Sequence, residues 1–160
     1  MNDAAALVAA LRAKGWTLGI AESLTGGAVA AEVVTVPGAS AALLGAVVAY
    51  ATPVKHTLLA VDAALLEAHG PVHPEVALQM ADGVRRAVAV DERPADLGIS
   101  TTGIAGPESP DGQPVGTVHI GVVAPARQFH RSYRFTGSRD EVRSQARDAA
   151  IAAALDAVRE

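Results

Sequence analysis

The 160-residue chain contains no cysteine. That excludes a disulfide framework, a thiolate zinc site and a cysteine nucleophile, and it fits a reducing compartment without requiring one. Aromatic residues are scarce: Trp16, Tyr50, Phe129, Tyr133 and Phe135 are the whole set, too few for a platform on which bases stack. Positive charge is in deficit, with 13 basic against 17 acidic residues and a net charge of -4. A chain without a basic face is a poor match for nucleic acid, whose phosphates must be neutralised. Half of the residues are hydrophobic, many of them alanine, yet no apolar run approaches the roughly 20 residues that span a bilayer. The start, Met1-Asn2-Asp3, has no basic segment ahead of an apolar one, so no signal peptide is expected and the reading is cytoplasmic, with no membrane partner. The length suits one domain over 1–160, and a domain of this size buries roughly 70% of its unfolded surface without staples.

What is present alternates between two periods. Asp3 is placed to cap a first helix carrying Leu7, Val8 and Leu11, which Gly15 ends. Trp16–Ala21 reads as a buried strand, Ala28–Val36 as a helix stopped by Pro37-Gly38, and Leu43–Ala51 as a valine-rich strand. Thr52-Pro53 reads as an N-cap and first helical position, so Lys55 and His56 open a short helix. Helices are expected over Asp62–His69 and Pro74 to about Val90, and strands over Asp96–Thr102, Val115–Val123 and Gln128–Phe135, the last two as an antiparallel pair. Gly103–Pro114 is a loop, and Ser138-Arg139-Asp140-Glu141 is a capping box opening a last helix. That helix is apolar nearly all round in its second half, which marks it as sandwiched in the fold or as a subunit contact, leaving a homo-oligomer open. Strands alternating with helices, followed by a hairpin, predict an α/β fold: a three-layer α/β/α sandwich with a mixed, mostly parallel sheet. Ligands of such sheets bind beyond the carboxyl ends of the strands.

Three segments at strand ends carry candidate chemistry. Glu22-Ser23-Leu24-Thr25-Gly26-Gly27 sets a hydroxyl and unobstructed amides at a strand-to-helix turn, where a phosphate or an oxyanion can be held; the same residues serve equally as a cap with glycines for close packing. Tyr50 and Lys55, five apart past the second strand, can face the same crevice, and a partly desolvated lysine can activate a serine; alone they also read as a strand-end aromatic and a solvated lysine. Thr101-Thr102-Gly103-Ile104-Ala105-Gly106-Pro107 suits a loop whose backbone approaches a ligand, or a plain connection. No histidine lies in a hydrolase motif, no G-x-G-x-x-G or G-x-S-x-G exists, and the residue three after Ser23 is Gly26 rather than lysine. Arg139, Arg143 and Arg147 form a basic stripe, able to clamp an anion or to pair with Asp140, Glu141 and Asp148. His69 and His73 are separated by Gly70-Pro71, so no metal site is assigned.

In this order, Ala21–Gly27, Val36-Pro37-Gly38-Ala39-Ser40, Val47-Val48-Ala49-Tyr50 with Lys55, His69-Gly70, Thr102–Pro107, Pro114-Val115-Gly116-Thr117-Val118 and Gly137-Ser138-Arg139 with Val142-Arg143 resemble the nicotinamide-nucleotide amidohydrolase family, also known as the CinA C-terminal domain. The resemblance covers nearly the whole chain. It implies hydrolysis of the carboxamide of nicotinamide mononucleotide to nicotinic acid mononucleotide and ammonia, with no metal or organic cofactor and a small-molecule nucleotide as partner. It implies catalytic roles for Ser23, Tyr50 and Lys55, with Lys55 as base and Tyr50 bridging or orienting the proton transfer. Thr25, Gly26, Gly27, Thr102, Gly103, Arg143 and Arg139 are the expected substrate-binding residues, Arg143 for the 5′-phosphate. Some members carry an additional N-terminal nucleotide-pyrophosphatase domain, which this chain is expected to start too late to include. The sequence departs from the pattern in three places. Leu24 stands where many members have cysteine, Thr52-Pro53-Val54 replaces a common Asn-Glu-Ala and so could re-aim Lys55, and His73 replaces a frequent serine. Two other readings stand beside the amidohydrolase: a non-catalytic nucleotide-binding module linked to competence or DNA-damage responses, and an amidohydrolase for a different carboxamide.

Overall fold

A computed structural model describes residues 1–160. The elements run α1 (Asp3–Lys14), β1 (Leu18–Glu22), α2 (Ala28–Val34), β2 (Leu43–Val48), α3 (Thr52–Leu59), α4 (Ala63–His69), α5 (Pro74–Ala87), β3 (Leu97–Gly103), β4 (Thr117–Val123), β5 (Gln128–Arg134) and α6 (Arg139–Arg159). The sheet has the order β2-β1-β3-β4-β5. Its first three strands are parallel, and β4 and β5 return antiparallel. The carboxyl ends of β1, β2 and β3 therefore share one rim.

Helices cover both faces, giving the expected three layers. On one face α1, α2 and α6 pack on alternate residues of the strands, Ile20, Ile99, Val118, Ile120 and Val122 among them. The apolar second half of α6, with Ala150, Ile151, Ala154, Leu155 and Val158 buried, belongs to that core. Its all-round hydrophobicity is thus accounted for within the chain. On the other face Leu59, Val76, Met80 and Val84 form a smaller core with Ala21 and Ala49.

The smaller core is thin because α5 rests almost on the backbone of the sheet. Gly121 of β4, Gly98 of β3, Gly19 of β1 and Gly45 of β2 lie beneath Ala77, Ala81, Val84 and Val88. Those four are spaced as one helical face. A Cβ on Gly98 would stand 1.9 Å from the Ala81 carbonyl oxygen, and one on Gly121 2.2 Å from that of Ala77. Only glycine permits this approach, and the Ser100 hydroxyl fixes it by donating to Ala77 O at 2.6 Å.

Local chemistry moves some boundaries. Asn2, not Asp3, caps α1, its Oδ1 accepting from Ala5 N at 2.8 Å. The cap of α3 is Ala51, with Thr52 already helical, one residue earlier than Thr52-Pro53 suggested. β2 ends at Val48, because Ala49 turns inward, and β4 begins at Thr117, because Gly116 takes a left-handed φ of 90°. Ser138 and Glu141 do form a capping box.

His119 on β4 is buried, its Nδ1 2.7 Å from Ser132 Oγ. Burial pushes its imidazole from 6.5 down to about 4, with smaller pushes from His130 and His73. The folded protein keeps His119 neutral while the unfolded chain binds a proton, so the stability it contributes is whole above pH 6.5 and is lost as the pH falls toward 4. His119→Gln should flatten the urea-unfolding stability profile across that window, and an unchanged slope would contradict the assignment.

Candidate active site

Ser23 follows the last residue of β1 and is held from two sides. Its N–H donates to Thr101 of β3, to the carbonyl oxygen at 3.1 Å and to Oγ1 at 3.3 Å. The Thr25 and Thr101 hydroxyls are 2.8 Å apart. From α6, Arg143 donates through Nε to Leu24 O at 2.9 Å and through Nη2 to Thr25 O at 3.0 Å. Gly26 and Gly27 adopt φ of 60° and 108°, which turns the chain into α2.

The amides at the start of α2 are already occupied. Glu22, fully buried at the end of β1, sends its carboxylate across the turn to accept from Gly27 N at 3.1 Å, Val29 N at 3.0 Å and Ala30 N at 3.0 Å. A carboxylate at a helix N-terminus is stabilised by those amides and by the helix dipole. The anion place that the glycine turn suggested is therefore filled by the protein's own carboxylate.

Lys55 sits in the first turn of α3 with 1% of its surface exposed. Its Nζ lies 2.9 Å from Ser23 Oγ, 2.7 Å from Ala49 O and 3.2 Å from Tyr50 O. Burial lowers its pKa from 10.5 to about 8. No carboxylate reaches it: the neighbouring Glu22 is spent on α2. A neutral amine has two N–H bonds and one lone pair, and two carbonyls plus one hydroxyl satisfy that set completely. The replacement of Asn-Glu-Ala by Thr52-Pro53-Val54 has not turned the amine away from Ser23.

A cleft of about 600 Å³ opens over this pair. Ser23, Leu24, Tyr50, Lys55, Thr102 and Gly103 line it, together with Pro71, Val72 and the loop from Ile104 through Asp111, and Arg139 stands at its edge. Tyr50 is 61% exposed, and its phenol oxygen accepts from Arg139 Nη2 at 3.2 Å. The Tyr50 phenol thus contacts the arginine and not Ser23 or Lys55, and only the Tyr50 carbonyl meets the lysine. Thr102 donates its hydroxyl to Pro71 O at 2.7 Å, tying the cleft wall to β3. Thr25, Gly26, Gly27 and Arg143 are not among the residues that line the cleft. The N–H groups of Leu24, Ala105 and Gly106 have no acceptor within the chain.

Sequence reasoning named the Thr101–Pro107 loop as a ligand wall but left Glu22 and the cleft residues Glu108, Pro110 and Asp111 without roles. An acidic residue directly ahead of a glycine turn and a helix was the available signal for Glu22. His73 fills the place of a serine by caping α5, its Nδ1 accepting from Glu75 N at 3.1 Å, while its ring stacks on His69 at 4.6 Å. Glu22→Ala strips three amides of their acceptor and is expected to cost about 2–4 kcal/mol of unfolding free energy. A loss below about 0.5 kcal/mol in urea titrations would contradict the capping role.

Residues 2–158 match the model of the CinA C-terminal domain. The chain is 46% identical over 143 residues to a CinA-like protein of Frankia casuarinae, covering 89% of this chain and 31% of that one. It is likewise 46% identical over 142 residues to a CinA-like protein of Anaeromyxobacter dehalogenans, covering 88% and 33%. The chain thus spans about a third of the length of these relatives. Among solved structures, a competence-damaged protein (CinA) superfamily protein from Klebsiella pneumoniae superposes with a TM-score of 0.91 at 32% identity, covering 98% of this chain and 96% of that one. A competence/damage inducible protein from Agrobacterium tumefaciens gives 0.85 at 29% identity, covering 100% and 98%. With nearly the whole of its length matched to the domain model, the chain belongs to the CinA C-terminal domain family.

Proposed function

We propose that the protein hydrolyses the carboxamide of nicotinamide mononucleotide, with Ser23 as nucleophile and Lys55 as base. The observation that carries the reading is the 2.9 Å contact between Ser23 Oγ and a buried Lys55 Nζ whose pKa is lowered to about 8. A module that only held a nucleotide would have no use for a buried amine set against a serine, and burying an amine without a carboxylate partner costs stability.

In the first half-reaction neutral Lys55 accepts the Ser23 proton as Oγ bonds to the carboxamide carbon. The negative charge that develops on the carboxamide oxygen falls to free N–H groups on the cleft, those of Leu24, Ala105 and Gly106 being the candidates. Each such donor is worth about 3–4 kcal/mol in the transition state. The Lys55 ammonium then returns the proton to the departing nitrogen, the C–N bond breaks and ammonia leaves. In the second half Lys55 takes a proton from water, hydroxide attacks the acyl-serine, and as the bond to Oγ breaks the Lys55 ammonium returns the proton to Ser23, releasing the carboxylic acid. Between the steps Ala49 O and Tyr50 O hold the amine in place.

The remaining groups suit a nucleotide. Arg139 lines the cleft and is offered as the 5′-phosphate ligand in place of Arg143, whose fork is engaged by Leu24 O and Thr25 O. Arg143 then acts by holding the Ser23 turn. The Tyr50 phenol orients Arg139.

Ser23→Ala and Lys55→Met should each lower ammonia release from nicotinamide mononucleotide by at least about 1,000-fold; turnover within tenfold of the parent protein would refute the dyad. Because Lys55 acts when neutral, log kcat/KM should climb with unit slope below pH 8 and level off above it. A rate already flat between pH 6 and 8 would show that the lysine is not the base.

A further inference from the structure

The cleft contains two opposite charges that the fold leaves unspent. Arg139 donates only to neutral acceptors, Gly106 O at 2.6 Å and the Tyr50 phenol at 3.2 Å. Glu108, two residues beyond Gly106 and also lining the cleft, takes part in no hydrogen bond and no ion pair. Asp111, the other carboxylate there, is consumed by its own turn. Its Oδ1 accepts from Gln113 N at 3.2 Å and Ser109 Oγ at 3.4 Å, and its Oδ2 from Gln113 Nε2 at 2.9 Å. Elsewhere arginines meet carboxylates: Arg86 with Asp82, Arg131 with Asp156, Arg147 with Asp148. Arg139 and Glu108 flank Gly106 without neutralising each other.

A free anion and a free cation in one cleft are complementary to a ligand that carries both signs, since walls of low dielectric focus each field. Resting on the hydrolase reading above, we infer that Glu108 selects carboxamides whose ring bears a formal positive charge, such as an N-substituted pyridinium, over the same amide on a neutral ring. Its carboxylate attracts the ring cation while Arg139 takes the anionic tail. The arrangement also compensates the approach of a cationic ring toward Lys55, the other basic group in the cleft.

The test compares nicotinamide mononucleotide with its dihydropyridine form, which keeps the shape and the phosphate but has an uncharged ring. Dissociation constants are measured by calorimetry on the Ser23→Ala background, with Glu108 or with Glu108→Gln. With Glu108 present the cationic form should bind up to about fivefold more tightly, the size set by one solvent-facing ion pair. Glu108→Gln should erase that preference by weakening the cationic ligand alone, and 0.5 M salt should shrink it in the parent protein. Equal weakening of both ligands, a preference that survives Glu108→Gln, or no preference at all overturns the inference. Ammonia release by the parent protein is read separately. A chain that shows the preference but releases no ammonia keeps the Glu108 assignment and loses the hydrolase.

Discussion

The structure turns on one contact, a buried amine against a serine hydroxyl with no carboxylate between or beside them. Had Glu22 turned toward Lys55, an ion pair would have held the lysine charged and useless as a base. Instead three amides at the start of α2 hold the Glu22 carboxylate on the far side of the turn. Adjacent residues at the end of β1 thus have separate duties, Glu22 fixing the turn and Ser23, just beyond the strand, presenting the hydroxyl. Lys55 is left among carbonyl oxygens with no counter-charge, so burial lowers its pKa unopposed by an ion pair.

The rest of the fold brings that contact about. Parallel pairing places the carboxyl ends of β1, β2 and β3 at one rim, so Ser23, Ala49 and Thr101 become neighbours although they are far apart in sequence. The row of glycines lets α5 lie close on the sheet, and α3 packs against α5, with Gly83 beneath the Leu59 carbonyl. This packing covers the side of α3 that carries Lys55 and Leu59, both buried, while Pro53 and His56 stay exposed. From the other layer α6 reaches the Ser23 turn through Arg143 and the cleft edge through Arg139.

The layer architecture was legible because its signals are local: the alternation of periods, the Ser138 capping box and the glycine and proline stops. The strand-end position of Ser23, Tyr50 and Lys55 was legible for the same reason, and the ordered motifs pointed to the family. What the sequence could not convey depends on register and on which partner a group meets. The glycines at 19, 45, 98 and 121 form a row only after four strands are aligned. The Gly26-Gly27 turn looked like an anion site because the acidic residue ahead of it, Glu22, shows that it fills the turn only once the chain folds back on itself. Arg143 and Arg139 are one helical turn apart and alike in sequence, yet one grips the backbone of the Ser23 turn and the other lines the cleft. Tyr50 contributes a carbonyl to the lysine, a role that no side-chain pattern encodes.

The central claim is that Lys55 is an amine ready to accept a proton near neutral pH. An NMR titration of protein labelled at the lysine ε-carbon, with Lys55→Met used to assign its signal, measures this directly. The account predicts that the Lys55 signal titrates near pH 8. A Lys55 signal that titrates with ordinary lysines, near 10.5, would contradict it.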